Sequence, residues 1–518
     1  MVRIKSVLAI FILLLVDFTF ASWRENIDNL LKTDNPEKQS QLINKIIKTR
    51  PNWHEVYGYL HDIEFKKADT SGLILREAAC IDGVIRPYVI YVPESYDNTE
   101  PTPLFICLHG SVSRPEIREN PLGYAEENGF LKIGRENGWF MIYPFGQWGA
   151  TWWDEVGMAN IANLIRTAKR EFNIDDDRVY LGGFSDGSSA SFLHAMVAPS
   201  DYAAFIALNG HMGVGSEDAG LHIYAPNMAN TPIYAVTTFS DRLYPSDMMR
   251  PTIEMAQRAG GDIFYREFEG THTFDYADTE LPLIVDFMNR HPRDPFPSNI
   301  IWETADLQFG QCRWLQINKI STEPLEPWHV DYNTPMVDSS ISIGFMSDDN
   351  FKGDGVKVGV IIDADNIANR SRLQEGDVII KGNTMPVKNL DDLIAFKASI
   401  SHGQAISLTV IRNDNEVVLH ANVPEPRLSN LFHRAKPAGR INARFGGNRI
   451  DIEASRVAEC AIFIHPDMIK LENGLKITVN GEMVYESRII PDIDFMLNNF
   501  LANRDRNLIY IARVNLIL

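Results

Sequence analysis

The chain contains 518 residues, of which 45% are hydrophobic and 23% are charged. At roughly 100–200 residues per domain, this length predicts about three folded units and excludes a single small binding module. The composition is that of a globular protein and excludes general disorder. Lysine and arginine total 49 against 68 aspartates and glutamates, which gives a formal net charge of −19. Because so acidic a surface repels a phosphate backbone, we expect no nucleic-acid partner.

The N-terminus has the pattern of a secretory signal. Arg3 and Lys5 precede an apolar run over residues 7–16. This run is shorter than the roughly 20 residues of a membrane span. Thr19 and Ala21 place small side chains at the positions that a signal peptidase recognises. We therefore predict a signal peptide over residues 1–21 and a secreted or periplasmic protein without a membrane span. The alternative is an uncleaved membrane anchor.

The cysteines predict neither a disulfide framework nor a metal site. They are widely separated, and none forms a Cys-x-x-Cys pair. We expect all of them to be small buried apolar side chains. They are Cys80, Cys107, Cys312 and Cys460.

Hydrophobic periodicity divides the first part of the chain into two regions. Residues 22–68 repeat apolar side chains at three- and four-residue steps and are predicted to form an N-terminal helical segment. Over residues 69–292 strands alternate with helices, which predicts a mostly parallel sheet covered by helices on both faces. The predicted strands are 84–93, 103–108, 139–143, 179–182, 202–208, 232–238 and 263–268, and the predicted helices are 156–172, 186–197, 247–260 and 279–290.

Prolines within residues 292–297 mark the end of this α/β domain, and the remainder is predicted to be β-rich. Asn480-Gly481 is a strong hairpin signal. Residues 298–339 and 440–518 each contain few strands, so we hypothesise that they form one discontinuous β-sandwich. The intervening segment 340–424 would then be an inserted domain, because insertion at a loop tip is tolerated.

The α/β region contains a G-x-S-x-G motif at Gly183–Gly187. A predicted strand leads into it and a predicted helix leaves it, which is the context of a nucleophile elbow. Such a turn exposes a serine hydroxyl and needs glycines where a Cβ would collide with neighbouring backbone. The motif predicts Ser185 as a nucleophile and the N–H of Asp186, at a helix N-terminus, as an oxyanion donor.

A nucleophilic serine requires a base and an orienting carboxylate. Asp241 follows the predicted strand 232–238, and His272 follows the strand 263–268, in the chain order serine, acid, histidine. We predict Asp241 as the acid and His272 as the base. The competing candidates are His211, Asp247 and Asp275.

The second oxyanion donor is expected after the strand 103–108. The sequence His109-Gly110-Ser111 follows that strand, and the N–H of Gly110 or of Ser111 is predicted to be the donor. His109 precedes the serine in the chain, so we interpret it as a scaffold residue of this loop.

Residues 84–292 resemble the secreted esterase branch of the α/β-hydrolases, which includes feruloyl and acetylxylan esterases and polyhydroxybutyrate depolymerases. The matching features are Arg86-Pro87-Tyr88, Tyr91-Val92-Pro93, Leu108-His109-Gly110, Asp175 with Arg178-Val179-Tyr180, Gly183–Gly187, Asp241 and Gly270–Phe274. The resemblance implies an α/β-hydrolase fold with the same three catalytic roles. It also implies that Trp152-Trp153 lies near the substrate cleft, with a core aromatic pair as the alternative. Ser188 in place of a glycine and the lack of a disulfide pair depart from the family pattern.

The segment 340–424 resembles a PDZ domain of the bacterial, HtrA-associated type. Ile343-Gly344-Phe345 matches the carboxylate-binding loop of that family, and residues 356–362 match its following strand. Residues 373–379 match its characteristic leucine, its glycine-aspartate pair and the strand that comes next. The resemblance implies capture of a peptide C-terminus by strand addition. The alternative is a PDZ-like domain that acts only as a spacer or lid.

Together these features predict a secreted serine esterase that needs no metal or cofactor. The expected substrate is a small-molecule ester or an ester linked to a polysaccharide. Two alternatives remain open. One is a serine peptidase that holds peptide tails on the PDZ-like domain, and the other is a non-catalytic peptide-binding scaffold.

Overall fold

The computed structural model describes residues 23–330, 332, 334–338, 341–348, 351–362, 364–432 and 436–518. The predicted signal peptide over residues 1–21 lies outside these residues. Within the described ranges, no helix has the length and apolar character needed to cross a bilayer. The chain forms two compact units. One contains the described residues through Tyr332 together with Phe432–Leu518, and the other is Asn333–Leu431.

The N-terminal segment is helical, as its periodicity predicts. Its helices are α1 (23–31), α2 (Pro36–Lys48) and α3 (Trp53–His61). Their apolar faces share a core with a C-terminal helix, α13 (Ile493–Asn503). Trp23 and Ile27 are buried in this core with Leu497 and Phe500. The first and last described parts of the chain are therefore packed together.

An eight-stranded sheet forms the centre of the first unit, in the order β1-β2-β4-β3-β5-β6-β7-β8. Strands β1, β2 and β4 pair antiparallel, and all later neighbours pair parallel. The expected mostly parallel sheet is thus confirmed. The strands are β1 (Gly72–Ala79), β2 (Ile85–Val92), β3 (Thr102–Leu108), β4 (Phe140–Pro144), β5 (Ile174–Phe184), β6 (Ala204–Leu208), β7 (Ile233–Thr238) and β8 (Ile263–Phe268).

Helices cover both faces of this sheet. Phe105 and Tyr180 share one core with side chains of α4, α5 and α10, while Leu104 and Ile106, which point the opposite way, are equally buried. Successive buried side chains on a strand require cover on each face. The helices of this region are α4 (Pro121–Glu127), α5 (Leu131–Asn137), α6 (Glu155–Glu171), α7 (Asp186–Val197), α8 (Val214–Ala219), α9 (Ser246–Arg258) and α10 (Ala277–Arg290).

Two further sheets belong to the first unit. Each combines strands that precede the second unit in sequence with strands that follow it. Their orders are β24-β23-β21-β20-β9 and β10-β11-β22-β25. Trp302 and Ile441 of the first sheet share a core with Leu315 and Ile462 of the second. The strands are β9 (Asn299–Thr304), β10 (Gln311–Cys312), β11 (Leu315–Ile320), β20 (Gly439–Gly446), β21 (Arg449–Ser455), β22 (Val457–Ile464), β23 (Leu475–Val479), β24 (Glu482–Ser487) and β25 (Ala512–Ile517).

The pairing of β9 with β20 and of β11 with β22 is the arrangement that a discontinuous β-domain requires. Asn480 and Gly481 form the turn between β23 and β24 with positive φ angles of 49° and 89°. The segment 440–518 is β-rich as predicted, but it also contains α13, which was not predicted although its apolar residues recur at helical spacing. The predicted domain boundaries stay predictions.

A buried ion network joins the α/β region to the C-terminal segment. Asp505 lies 2.7 Å from Lys169 Nζ and 2.8 Å from Arg293 Nη1, and Lys169 also contacts Asp176 at 2.9 Å. Burial acts to raise the pKa of Asp505, but Arg293 and Lys169 hold it well below its usual range. The network ties α6 and the start of β5 to the chain that follows α13.

The second unit contains a sheet in the order β13-β14-β15-β17-β18, with β16 paired to β15, and a separate β12-β19 pair. The edge strand β13 begins at Phe345, the last residue of the predicted carboxylate-binding loop. The elements are β12 (Thr334–Asp338), β13 (Phe345–Ser347), β14 (Val356–Ile361), α11 (Ile367–Ser371), β15 (Val378–Gly382), β16 (Met385–Pro386), α12 (Leu390–Ala398), β17 (Ala405–Arg412), β18 (Asn415–Asn422) and β19 (Arg427–Leu431).

Candidate active site

Ser185 occupies a sharp turn between β5 and α7. Its backbone has φ 59° and ψ −120°, a conformation that residues with a Cβ rarely adopt. The Ser185 N–H donates to the carbonyl of Leu208 at 2.9 Å, which fixes the turn against β6. The turn therefore presents the hydroxyl outside the strand and the helix.

The two glycines of the motif face the end of β3. A Cβ at Gly183 would lie 2.2 Å from the carbonyl oxygen of Leu108, and a Cβ at Gly187 would lie 2.1 Å from the same atom. Any side chain at either position would have to displace backbone. The close approach of β3 to the turn explains in physical terms why the motif has glycines at these places.

The structure brings Ser185, His272 and Asp241 together. His272 Nε2 lies 3.0 Å from Ser185 Oγ, and His272 Nδ1 lies 2.8 Å from Asp241 Oδ2. With Nδ1 protonated and donating to the carboxylate, Nε2 presents a lone pair to the hydroxyl. The His272 side chain is 14% exposed and that of Asp241 is fully buried, so only the imidazole and the hydroxyl face the site.

Several donors hold the Asp241 carboxylate. Asn209 Nδ2 donates to Oδ2 at 2.8 Å, and the N–H groups of Leu243 and Tyr244 donate to Oδ1 at 2.8 and 3.0 Å. Burial acts to raise the pKa of Asp241, but the hydrogen bonds from His272, Asn209 and Tyr244 lower it below its ordinary value. The carboxylate is therefore charged and fixed in orientation.

Asn209 and Tyr276 complete this arrangement, and the sequence analysis did not identify them. Asn209 has a φ of 51° and donates both to Asp241 and to Thr238 Oγ1. Tyr276 Oη donates to Asn209 Oδ1 at 2.5 Å. An Asn-Gly pair directly after β6 was the available signal, because asparagine tolerates a positive φ. Nothing in the local sequence linked it to Asp241.

The loop after β3 lies against the nucleophile, as the position of Gly110 predicts. A Cβ at Gly110 would lie 2.9 Å from Ser185 Cβ. Ser111 follows with a φ of 53°. Its N–H interacts with the Asp186 carboxylate, to which the Val112 N–H also donates at 2.7 Å.

His109 supports this loop through hydrogen bonds at both ring nitrogens. Its Nδ1 donates to the Gly110 carbonyl at 2.9 Å, and its Nε2 accepts from the Gly146 N–H at 3.2 Å. Burial lowers the pKa of His109 to about 3. A neutral ring with both nitrogens engaged fits a scaffold residue. Arg118 holds the same Gly110 carbonyl at 2.8 Å.

The expectation that Trp152 and Trp153 lie near the substrate cleft is replaced by its alternative, a core aromatic pair. The two residues are 1% and 3% exposed, so they belong to the core. Trp152 Nε1 donates to the carbonyl of His109 at 2.8 Å, and its carbonyl accepts from His194 Nε2 at 3.0 Å. Trp152 therefore supports the loop after β3 from the core. Trp148, in the segment after β4 that also contains Trp152, is 39% exposed.

The competing acid and base candidates have other partners. His211 Nδ1 accepts from the Gly213 N–H at 2.9 Å, and Asp275 accepts from Thr273 Oγ1 at 2.6 Å. Asp247 is 84% exposed in its side chain and pairs with Arg250. Ser185 is hydrogen-bonded to His272, and His272 is hydrogen-bonded to Asp241.

The four cysteines are buried and unpaired with one another. Burial raises the pKa of Cys312 and of Cys460 to about 12, so these thiols are inert. Among the described residues, no group of three or more histidine, cysteine or acidic side chains could hold a metal ion.

Among curated proteins, the chain is similar to esterases over a short stretch. It is 30% identical over 142 residues to a bifunctional acetylxylan esterase/xylanase of Neocallimastix patriciarum, covering 26% of this chain and 20% of that protein. It is 24% identical over 98 residues to acetylxylan esterase A of Aspergillus oryzae, covering 17% and 32%. The chain thus spans about a fifth to a third of the length of these relatives.

Among solved structures, the chain is similar to a thermostable esterase with a TM-score of 0.35 and 20% identity, over 43% of this chain and 63% of that one. It is similar to a ferulic acid esterase with a TM-score of 0.36 and 13% identity, over 43% and 99%. No protein-family model matches the chain.

Proposed function

We propose that this protein is a serine carboxylesterase in which Ser185, His272 and Asp241 form the catalytic triad. The observation that carries the proposal is the continuous hydrogen-bonded series from Ser185 Oγ through His272 to Asp241, at 3.0 and 2.8 Å. The similarity to acetylxylan esterases supports a carboxylesterase-type enzyme.

In the proposed mechanism, Ser185 Oγ attacks the ester carbonyl carbon while His272 Nε2 takes its proton. The N–H of Asp186 and the N–H of Gly110 stabilise the oxyanion of the tetrahedral intermediate, because the Ser111 N–H is directed to the Asp186 carboxylate. His272 then protonates the departing alcohol and leaves an acyl-Ser185. A water molecule attacks the acyl carbon with His272 again as base, and the acid is released. Asp241 keeps Nδ1 protonated throughout.

The proposed substrate is a short acyl ester linked to a polysaccharide. This deepens the esterase proposal by analogy with relatives that are named acetylxylan esterases. A protein exported by the predicted signal peptide over residues 1–21 would meet such a polymer outside the cytoplasm. A serine peptidase uses the same machinery on amides and is the alternative within the same chemistry.

The test combines active-site labelling with turnover. A fluorophosphonate probe should label the folded wild type at Ser185 and should not label Ser185→Ala. That variant should lose at least about 10⁴-fold in kcat on p-nitrophenyl acetate, because the nucleophile is removed. Asp241→Asn should lose about 10³–10⁴-fold, because an amide stabilises the wrong histidine tautomer.

Acetylated xylan and peptide amides should be assayed with the same preparations. Ser185-dependent amide turnover without ester turnover would favour the peptidase. A folded wild type that neither reacts with the probe nor hydrolyses esters would favour the non-catalytic scaffold.

A second function, capture of a peptide C-terminus, is proposed for the PDZ-like unit. Gly344 has a φ of 93°, and a Cβ at that position would lie 2.0 Å from Asn366 Cγ. The strand β13 after it stands at one end of its sheet, which supports strand addition. In the full-length protein, peptides ending in a free apolar carboxylate should bind, and their C-terminal amides should not. Equal binding of both forms would contradict the proposal.

A further inference from the structure

The side chain of Asp186 has no role in the triad, although its residue directly follows the nucleophile. The N–H of Asp186 lies in the first turn of α7, where backbone donors lack an intrahelical acceptor. The carboxylate reaches across to the loop after β3. Its Oδ2 accepts from the Val112 N–H at 2.7 Å, and the Ser111 N–H interacts with the same carboxylate.

The segment that this carboxylate holds is strained. Ser111 has a φ of 53°, which a residue with a Cβ adopts only when its surroundings enforce it. The other holding contacts act on carbonyl groups. Arg118 donates to the Gly110 carbonyl at 2.8 Å, and Arg114 Nε donates to the Ser111 carbonyl at 2.9 Å. The Asp186 carboxylate instead engages the N–H groups of Ser111 and Val112, and it does so from the side of the nucleophile.

The environment strengthens this contact. Val112 is fully buried, and a Cβ at Gly146 would lie 2.6 Å from Val112 Cγ2, so the loop is packed from the other side. A hydrogen bond to a buried carboxylate is worth more than one between neutral groups. Burial also raises the pKa of Asp186, and the hydrogen bond from the Val112 N–H acts in the opposite direction.

We propose that Asp186 is a positioning residue that fixes the Ser111–Val112 segment and thereby sets the distance between the two halves of the oxyanion site. One half is the Asp186 N–H, and the other is the loop that its carboxylate holds. The inference rests on the proposed esterase function. Asp186 acts through the loop and contacts no reacting atom.

The experiment uses the full-length protein and compares Asp186→Ala and Asp186→Asn with the wild type. Asp175→Asn is the matched control, because Asp175 is a partly buried carboxylate that accepts a backbone N–H at the opposite end of β5. Activity is measured on p-nitrophenyl acetate as kcat and KM separately. Affinity is also measured for a trifluoromethyl ketone, whose carbonyl carbon bonds Ser185 Oγ while the serine proton passes to His272, giving a tetrahedral oxyanion.

Asp186→Ala should lower kcat about 100-fold with KM changed less than about threefold, because a misplaced oxyanion donor affects the transition state alone. Ketone affinity should fall by a similar factor. Asp186→Asn keeps one acceptor oxygen of the same shape but loses the charge, so its kcat and its ketone affinity should each fall about 3- to 10-fold, less than in Asp186→Ala. Asp175→Asn should match wild type in kcat.

Two results would overturn the inference. One is a folded Asp186→Ala protein with wild-type kcat, and the other is a fall in kcat without a fall in ketone affinity. If Asp186→Ala does not fold, Asp186→Asn decides, since an unchanged kcat and ketone affinity there would contradict a role for the charged carboxylate. A wild type without Ser185-dependent turnover would contradict the esterase proposal itself, so the two failures are distinguishable.

Discussion

At the scale of single residues, the site is built from backbone conformations that only close packing can maintain. Ser185 and Ser111 both have positive φ angles, of 59° and 53°. Gly110 lies against Ser185, and Gly183 and Gly187 lie against the end of β3. The strain is retained because neighbouring elements leave no room for relaxation.

This packing predicts that two glycine-to-alanine substitutions have very different effects on the free energy of unfolding. Gly183→Ala should destabilise the protein by about 2–5 kcal/mol, because the new Cβ would meet the Leu108 carbonyl oxygen. Gly58→Ala is the matched control. Gly58 lies inside α3 with nothing within 4 Å of its Cβ position, so alanine should stabilise by up to about 1 kcal/mol. Urea unfolding measures both, and equal effects would contradict the packing argument.

At the scale of elements, α7 is the helix that supports the site. It begins directly after Ser185, and all of its residues from Gly187 to Val197 are buried. Near its C-terminal end His194 donates through Nε2 to the carbonyl of Trp152 at 3.0 Å. Trp152 in turn donates to the carbonyl of His109. The helix thus supports both the nucleophile turn and, through Trp152, the loop after β3.

His194 makes this helix sensitive to acid. Burial lowers the pKa of His194 to about 4, whereas an unfolded chain protonates histidine near pH 6.5. Because the folded pKa is the lower one, the unfolded state binds the proton first as pH falls. Stability from the neutral ring is complete above about pH 6.5 and is lost progressively toward about pH 4, at up to about 1.4 kcal/mol per pH unit.

The test is the pH dependence of the free energy of unfolding between pH 7 and pH 5. His194→Gln retains a donor for the Trp152 carbonyl and removes the titrating ring, so its slope should be shallower than that of wild type. His54→Gln, which removes a histidine from the surface of α3, is the control variant. A wild-type slope in His194→Gln would show that the ring is not kept neutral in the folded state.

At the scale of the whole molecule, the first unit is assembled from distant parts of the chain. The N-terminal helices share a core with α13, Asp505 bridges to Lys169 and Arg293, and β9 and β11 pair with β20 and β22. The second unit, Asn333–Leu431, separates these partners in sequence and has its own core.

This assembly predicts that the first unit tolerates a cut chain. A protease site inserted between Pro324 and Leu325, in an exposed segment after β11, should allow cleavage into two pieces that stay together under native conditions. The pieces should co-elute in gel filtration and separate only in denaturant, because buried strand pairs and the ion network join them. Separation under native conditions would contradict the discontinuous β-domain.

The sequence by itself determined the features that depend on local backbone and periodicity. The helix over 186–197 and the strand over 263–268 have the bounds that hydrophobic spacing predicts. The glycines around Ser185 were interpretable from sequence because a strand-to-helix turn of this kind leaves no room for a Cβ at those positions. The order of Ser185, Asp241 and His272 predicted a site because parallel strands end at one edge of the sheet.

Only the tertiary structure decided what depends on contacts between distant segments. It showed that Trp152 supports the loop after β3 from the core, that Asn209 holds Asp241, and that Asp186 reaches Val112. A tryptophan in a core and one in a cleft have the same local sequence signal, and an asparagine after a strand carries no mark of its partner. Such contacts arise from register and packing across the sheet, which local periodicity does not encode.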